Sequence, residues 1–305
     1  MPVLYRPAQA QDLERADALV VASINNLTER HGFGAIAASH PTHFQSFSLK
    51  DDARGLWIAE EAGNILGFAW SWVCDDLWFL AQLFVSPDQQ GRGIGNELLK
   101  RTLDHAEQAG AASKALITFS FNTVSQGLYM RHGLFPRCPI YNVSIARDRL
   151  AGLLKGAPKD HPRLRHQPLE ETDGHLHNLV RIDRQALGVS REKHHRYLLN
   201  DSATNAIGLY DRDDCIGYAY ISTTGHIGPL AVMRPDLLDT AFKTALNVAA
   251  TGGSSQVSAF LPGTADAALS TAIGHGMRIT LPMVLMATRD LRDWSRYLPR
   301  NPGFM

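Results

Sequence analysis

Three glycines in five positions, Gly91, Gly93 and Gly95, stand between the β-rich run LWFLAQLFVSP and the amphipathic run NELLKRTLDHAEQAGA. Glycines at that density let a backbone turn tightly with its N–H groups facing inward, and a helix starting near Gly95 adds the positive end of its dipole. Such a segment can seat a diphosphate; the competing reading is a plain connecting turn. Spacing excludes two familiar phosphate loops. A Walker loop needs Gly-Lys followed by Ser or Thr, whereas Gly95 precedes Asn96 and Glu97. A dinucleotide fold needs GxGxxG in its first strand–helix turn, whereas the pattern here is GxGxG, about 90 residues along the chain.

The elements that must position this loop are legible from periodicity. VLYRPAQAQDLERADALVVASIN reads as a short strand, a loop and an amphipathic helix, with Asp12 as its cap. GLWIAEEAGNILGFAWSWVCDD is two β-rich runs around an Ala-Gly-Asn turn, a hairpin signal, and LWFLAQLFVSP is a strand ended by Pro87. Apolar Leu98, Leu99, Leu103 and Ala106 mark the helix after the loop, which Gly110 closes. KALITFSF is a strand, NTVSQGLYMRHG a short helix stopped by Gly133, and YNVSIA a last apolar run. This order predicts an α/β fold with a mixed, largely antiparallel sheet flanked by helices.

The second half repeats the first in outline. NAIGLYDRDDCIGYAYIS parallels GLWIAEEAGNILGFAWSW, GHIGPLAVMRPD parallels WFLAQLFVSPD, and AFKTALNVAATGGS parallels NELLKRTLDHAEQAGA. VSAF and AALSTAIGHGMRI then follow ITFSF and SQGLYMRHGLFP, and five matches in one order argue for duplication. Between the halves, GLLKGAPKDHPRLRHQP breaks all periodicity. We therefore expect a catalytic domain over 1–150, a linker over 151–165 and a degenerate copy over 166–305.

Composition narrows the partners. Thirty Lys plus Arg balance thirty Asp plus Glu, so no global field draws the chain to nucleic acid or an anionic membrane. No apolar stretch reaches membrane-spanning length, and Cys74, Cys138 and Cys215 form neither a disulfide framework nor a CxxC motif. The expectation is a cytoplasmic protein acting on a small molecule. Thirteen histidines raise the question of a metal, but His175/His177 and His194/His195 lack partners at ligand spacing. They read as solvated loop histidines, and no metal is expected.

Val85-Ser86-Pro87 followed by Gln90-Gly91-Arg92-Gly93-Ile94-Gly95 resembles motif A of the GNAT superfamily, whose pattern is Gln/Arg-x-x-Gly-x-Gly/Ala. Further on, Asn122 lies seven residues before Tyr129, and Arg131-His132-Gly133-Leu134-Phe135 follows, similar to the next family motif with Leu134 in place of its Phe. The resemblance covers roughly residues 3 to 147, and the second half looks like a degenerate GNAT domain, as in tandem members. It implies acetyl-CoA as co-substrate. The diphosphate would lie on Gln90 through Gly95, and the pantetheine arm would pair with backbone of Leu83, Phe84 and Val85. Asn122 and Ser125 would contact the arm from the other side, and Tyr129 would contact the cofactor and donate to the departing sulfur. A helix cap is the alternative role of Asn122, and a buried aromatic that of Tyr129.

The implied reaction is attack of a neutral amine on a thioester. An alkylammonium near pKa ~10.4 must first lose a proton, so a base is required. Many family members carry Glu on the motif A strand, where this chain has Gln82, which cannot take a proton. Asp75, Asp76, His40 and His43 are the remaining candidates. A small-molecule amine is the expected acceptor, supported weakly by Trp70, Trp72, Trp78 and Phe79; a protein amine and a non-catalytic acyl-CoA sensor are the alternatives. In the second half, Leu237-Leu238-Asp239-Thr240 stands where the loop should be, Ala265 at the Asn122 position and Ala272 at the Tyr129 position. That half is expected to bind no coenzyme A. It is left with acceptor lining, through His226, Tyr210, Tyr218 and Tyr220, or with packing and homodimer formation.

Overall fold

The computed structural model describes residues 2–155, 164–291 and 293–305. In chain order the elements are β1 (Leu4–Pro7), α1 (Leu13–Arg30), α2 (His43–Asp51), β2 (Leu56–Glu61), β3 (Asn64–Cys74), β4 (Leu77–Val85), α3 (Ile94–Gln108), β5 (Ser113–Phe119), α4 (Thr123–Arg131), β6 (Phe135–Ala146) and α5 (Arg147–Leu153). The second series is β7 (Arg165–Pro168), α6 (Asp173–Ala186), α7 (Glu192–Leu199), β8 (Thr204–Asp211), β9 (Asp214–Ser222), β10 (His226–Val232), α8 (Leu238–Ala250), β11 (Gln256–Pro262), α9 (Asp266–Gly274), β12 (Arg278–Ala287) and β13 (Tyr297–Leu298). From β1 to β6 and from β7 to β12 strands and helices alternate identically, apart from the added α5, so the duplication legible in sequence is also one of architecture.

Two compact units result, one running to Phe135 and including Met286–Arg289, the other comprising Pro136–Leu285 and Asp290–Met305. The expected boundary at 150 therefore differs from the packing. β6 lies in the second unit, where Gln256 through Pro262 of β11 pair antiparallel with Ala146 through Ile140. The first unit instead takes Thr288, whose N–H donates to the Lys114 carbonyl and whose Oγ1 accepts from the Lys114 N–H. Most of the expected linker, residues 156–163, lies outside the described residues, while its start is the helix α5 and its end the strand β7.

In the first unit β1 to β4 form an antiparallel meander and β5 joins β4 in parallel. The β2–β3 hairpin closes through Ala62 and Gly63, both at positive φ, as a two-residue turn whose twist suits the strands it joins. Ile94 and Leu98 of α3 pack on Ala59, Leu66 and Ala69, with Leu83 and Val85 against them, so one sheet face belongs to α3. Alternation places Phe68, Trp70, Gln82 and Phe84 on the opposite face, where Phe44 of α2 meets Trp70 edge-on at 5.0 Å. Gly110 ends α3 at φ +67°, as its position in sequence predicted. Asp12 precedes α1 but does not cap it: its carboxylate takes Arg6 at 2.6 Å and the Gln9 N–H at 2.8 Å.

The second unit orders its strands β12, β6, β11, β10, β9, β8, β7, with β13 beside β10. His194 and His195 are buried in α7 rather than solvated in a loop, because α7 turns them inward. Tyr218 and Tyr220 are fully buried and His226 is held between Ser258 Oγ, at 2.8 Å, and the Arg300 carbonyl. These three side chains serve the interior of their own unit.

Candidate active site

The site is built around a split between two parallel strands. Paired residues run from Leu77 with Ser113 to Leu80 with Leu116, and there the β4–β5 ladder ends, although β4 continues to Val85 and β5 to Phe119. A bulge lies at the point of divergence: Trp70 faces Gln82 and Ser71 faces Leu80, leaving Ala81 as the extra residue. A bulge bends and twists its strand. Beyond it, among the described residues, β4 keeps β3 on one side and pairs with no strand on the other.

Ladder parity shows which backbone groups face that open side. The Ser86 N–H donates to the Leu66 carbonyl at 2.9 Å, so two residues back Phe84 is also bonded toward β3. Leu83 and Val85 face away from β3. The expected contribution of Phe84 backbone is thus corrected, since its N–H and C=O are spent in the β3 ladder. The Val85 carbonyl accepts from Ser23 Oγ and Gln90 Nε2, each at 3.3 Å, which leaves the N–H groups of Leu83 and Val85 and the Leu83 carbonyl for a ligand. Ser23, buried on α1, had no distinguishing signal in sequence.

The strand leads into the glycine loop. Gly91 and Gly93 adopt φ of +81° and +82°, a region costly for residues with a Cβ. Gly93 caps α3 without a side-chain hydrogen bond, and the first bond back to it comes from the Glu97 N–H at 3.2 Å. The amides of Ile94, Gly95 and Asn96 thus belong to the unbonded first turn, at the positive end of a 15-residue helix. The Ile94 side chain is buried in the core, so its amide is what it can offer a ligand. Arg92 turns its guanidinium to Glu61, at 3.1 Å, and to Gln89, leaving its backbone to the loop. Gly95 is different: it is helical, and a Cβ there would find only Val85 Cγ2 at 3.6 Å and Leu128 Cδ2 at 3.9 Å, ordinary contact distances. No neighbour in the protein requires glycine at this position.

On the β5 side, Asn122 caps α4, its Oδ1 accepting the Ser125 N–H at 3.2 Å. Against the larger upward push of burial, the Ser125 side chain, one turn back along α4, lowers the pKa of the Tyr129 phenol. Residues three and seven positions along a helix share a face, so Asn122, Ser125 and Tyr129 form one stripe. Tyr129 is buried, and burial pushes its phenol well above the usual pKa, offset only in part by Ser125. It therefore keeps its proton at neutral pH. Phe121, just before the stripe, stacks on Phe33 at 4.8 Å and joins the α1–α2 loop to this turn.

Of the candidate bases, Asp75 and Asp76 are not brought to the split. Asp75 and Asp76 form the β3–β4 turn, five residues and about 16 Å of strand from the bulge. Asp76 is also paired with Arg289 at 2.9 Å. His40 and His43 are exposed, before and at the start of α2. A Ser71–His105–Asp52 row resembles a nucleophilic triad, with contacts of 3.0 and 2.9 Å. It is structural: Ser71 is buried, and a Cβ on neighbouring Gly55 would stand 2.0 Å from the Ser71 carbonyl. Burial opposes ionisation of Asp52, yet hydrogen bonds from Arg54 and His105 pull its carboxyl down to about 2. Among the described residues, no group of three or more His, Cys, Asp or Glu is placed to hold a metal ion. None of the described helices is long and apolar enough to cross a membrane.

Residues 21–134, which contain the split, the glycine loop and the α4 stripe, match the acetyltransferase (GNAT) family. Over this stretch the chain is similar to a GNAT domain. Its curated relatives include the uncharacterized N-acetyltransferase YhfO of Bacillus subtilis, 28% identical over 39% of this chain and 83% of its own length. Another is the uncharacterized N-acetyltransferase MJ1207 of Methanocaldococcus jannaschii, 31% identical over 72 residues; the match covers 30% of that protein and 20% of this chain. Across its whole length the chain shares a fold with a Pyrococcus horikoshii protein assigned as an acetyltransferase, with a TM-score of 0.75 at 15% identity, covering 99% of this chain and 96% of that one. A tandem GNAT protein from the clavulanic acid biosynthesis pathway gives 0.65 at 14% identity over 94% and 98%. The chain thus shares its fold with a tandem GNAT protein, and its second half differs at the positions that correspond to the loop and the stripe. Five residues, 233–237, connect β10 to α8 where eight, 86–93, connect β4 to α3. Ala265 and Ala272, both buried, stand at the positions of Asn122 and Tyr129.

Proposed function

We propose that this chain is a cytoplasmic N-acetyltransferase that moves an acetyl group from acetyl-CoA to the amine of a small molecule. The observation that carries the reading is the β4–β5 split, with free Leu83 and Val85 amides, opening at one end on the glycine loop. The loop and the first turn of α3 would take the diphosphate, the Leu83 and Val85 backbone the pantetheine amides, and Asn122 the arm from the far side. Its Oδ1 holds the Ser125 amide, so its Nδ2 donor is the group free to do so.

The neutral amine nitrogen attacks the thioester carbon, the C–N bond forms, the C–S bond breaks and the nitrogen's surplus proton passes to solvent. Tyr129 serves the departing sulfur. A thiol near pKa ~8.5 is far more acidic than a phenol raised by burial, so full proton transfer to sulfur would be uphill. Tyr129 instead donates a hydrogen bond to the developing thiolate, which costs no proton and needs no reorganisation. The second unit, lacking loop, clamp and donor, binds no coenzyme A in this reading and serves packing or self-association.

Calorimetry with acetyl-CoA tests the assignment. One site per chain is expected, and ligand at 100 times its dissociation constant should add ~2.7 kcal/mol of stability. Two equivalent sites would contradict the loss of the second. Gly95→Ala should leave fold and affinity close to wild type, since its Cβ has room. Gly95→Val, which adds a branched side chain in the first turn of α3 beside the amides proposed to hold the diphosphate, should lose at least about tenfold in affinity. Undiminished binding by Gly95→Val would remove the diphosphate from this loop. Free thiol release with a panel of amines then separates an enzyme from a sensor that only binds.

A further inference from the structure

Among the described residues, two buried polar atoms on the α2 side of the sheet, Trp70 Nε1 and Gln82 Oε1, have no hydrogen-bond partner. Trp70 and Gln82 are direct cross-strand partners, so their side chains leave the same face, with Cβ atoms about 5 Å apart. They sit beside the Ala81 bulge, where β4 parts from β5. Trp70 is only 3% exposed, and Phe44 stands edge-on to it at 5.0 Å with Phe47 stacked on Phe44 at 6.0 Å. One atom can only donate and the other can only accept. Buried polar groups are almost always satisfied, and a donor and an acceptor left open on paired residues are what a ligand with both complements would satisfy.

We infer that Trp70 and Gln82 bind the acyl acceptor, and that this acceptor is a planar aromatic primary amine, uncharged at neutral pH, with a hydrogen-bond-accepting atom beside its nitrogen. The inference rests on the acetyl-transfer reading and adds the substrate class. An amine N–H donates to Gln82 Oε1, the neighbouring acceptor takes Trp70 Nε1–H, and the ring lies against Trp70 and Phe44. Neutrality follows from the lining. Neither polar atom carries charge, and an ammonium buried among neutral and aromatic groups would lose its hydration without a counter-charge. An arylamine is already the free base at pH 7 and needs no proton removed before attack, which fits Gln at the position where Glu would act as base. As the acetyl passes from sulfur to nitrogen, the nitrogen gives its one surplus proton to solvent and coenzyme A leaves as the thiolate, hydrogen-bonded to Tyr129.

The test uses the full chain with saturating acetyl-CoA and three probes, aniline, 2-methoxyaniline and benzylamine, read by thiol release. Wild type is expected to favour 2-methoxyaniline over benzylamine by at least about tenfold in kcat/KM, with aniline between. Trp70→Phe should erase the advantage of 2-methoxyaniline over aniline. Gln82→Leu should raise KM for both arylamines about tenfold with kcat less affected. Gln82→Glu, which supplies a base at nearly unchanged shape, should raise benzylamine turnover at least about tenfold. Calorimetry should show unaltered coenzyme A binding by all three variants. Preference for benzylamine in wild type, no turnover of either arylamine despite coenzyme A binding, or unchanged KM in Gln82→Leu would each overturn the inference. Loss of coenzyme A binding by wild type itself would instead overturn the acetyl-transfer reading beneath it.

Discussion

Tyr129→Phe is expected to lower turnover by ~10²- to 10⁴-fold while acetyl-CoA affinity stays within about threefold. The ring remains to fill its buried place, so the fold and the cofactor arm lose no packing. What disappears is one hydroxyl, raised in pKa by burial, an effect only partly offset by Ser125. If that hydroxyl stabilises the sulfur only as the C–S bond breaks, the loss falls on kcat rather than on ground-state binding. Steady-state kinetics beside calorimetry separates the two, and unchanged turnover would leave Tyr129 as a packing residue. Because the phenol is shifted upward, its protonated form persists through the ordinary tyrosine range and beyond. A wild-type decline in rate between pH 8 and 10 would therefore belong to another group, and the same decline should survive in the residual activity of Tyr129→Phe.

The glycine loop, the Asn122–Tyr129 spacing and the duplication were legible because each is a local signal. Positive φ demands glycine within a few residues, helix faces repeat at fixed spacing, and tandem copies keep their order. What escaped the sequence depends on pairing between distant segments. That Phe84 spends its backbone on β3 follows from the parity of one bond, Ser86 to Leu66, and from a bulge that no residue type at Ala81 announces. The membership of β6 in the second unit, and of Met286–Arg289 in the first, is likewise a matter of which edges meet. A chain cut at residue 150 would strip Thr288 from Lys114 and Arg289 from Ser113 and Asp76, so it is a poor proxy for the first unit. The burial of His195 escapes the sequence for the same reason: its partners, Tyr220 on β9 and Asp183 on α6, lie 25 and 12 residues away.

Those partners frame the other large expected effect, which is on stability. Asp183 and Arg191 are both buried and meet through two bonds, 2.9 and 3.1 Å, with Tyr218 donating to Asp183 at 2.5 Å and His195 Nε2 at 3.0 Å from it. Arg191 also donates to the hydroxyls of Tyr297, at 2.6 Å, and Tyr218, at 2.7 Å, and to the Met305 carbonyl. Every strong group is answered, so removing one leaves its partner charged in a place that water does not reach. Asp183→Asn keeps the shape and strands the guanidinium, which cannot deprotonate; a loss of ~3–5 kcal/mol is expected, against a typical total of ~5–15. Arg191→Met should cost less at low pH than at neutral pH, because the orphaned Asp183 carboxyl can take up a proton. In the wild type, burial works against the Asp183 charge, yet Arg191 and His195 hold the carboxyl well below its usual pKa. The pair's contribution is therefore fully present above the ordinary carboxylate pKa near 4 and is lost as pH falls below it. Urea unfolding of wild type, both single variants and Asp183→Asn with Arg191→Met at pH 7 gives the coupling directly. The double variant should recover at least about 2 kcal/mol relative to the sum of the singles, since it buries no unpaired charge. Additive losses would mean that the two charges are solvated separately, and that the network does not bind α6, α7 and β9 together.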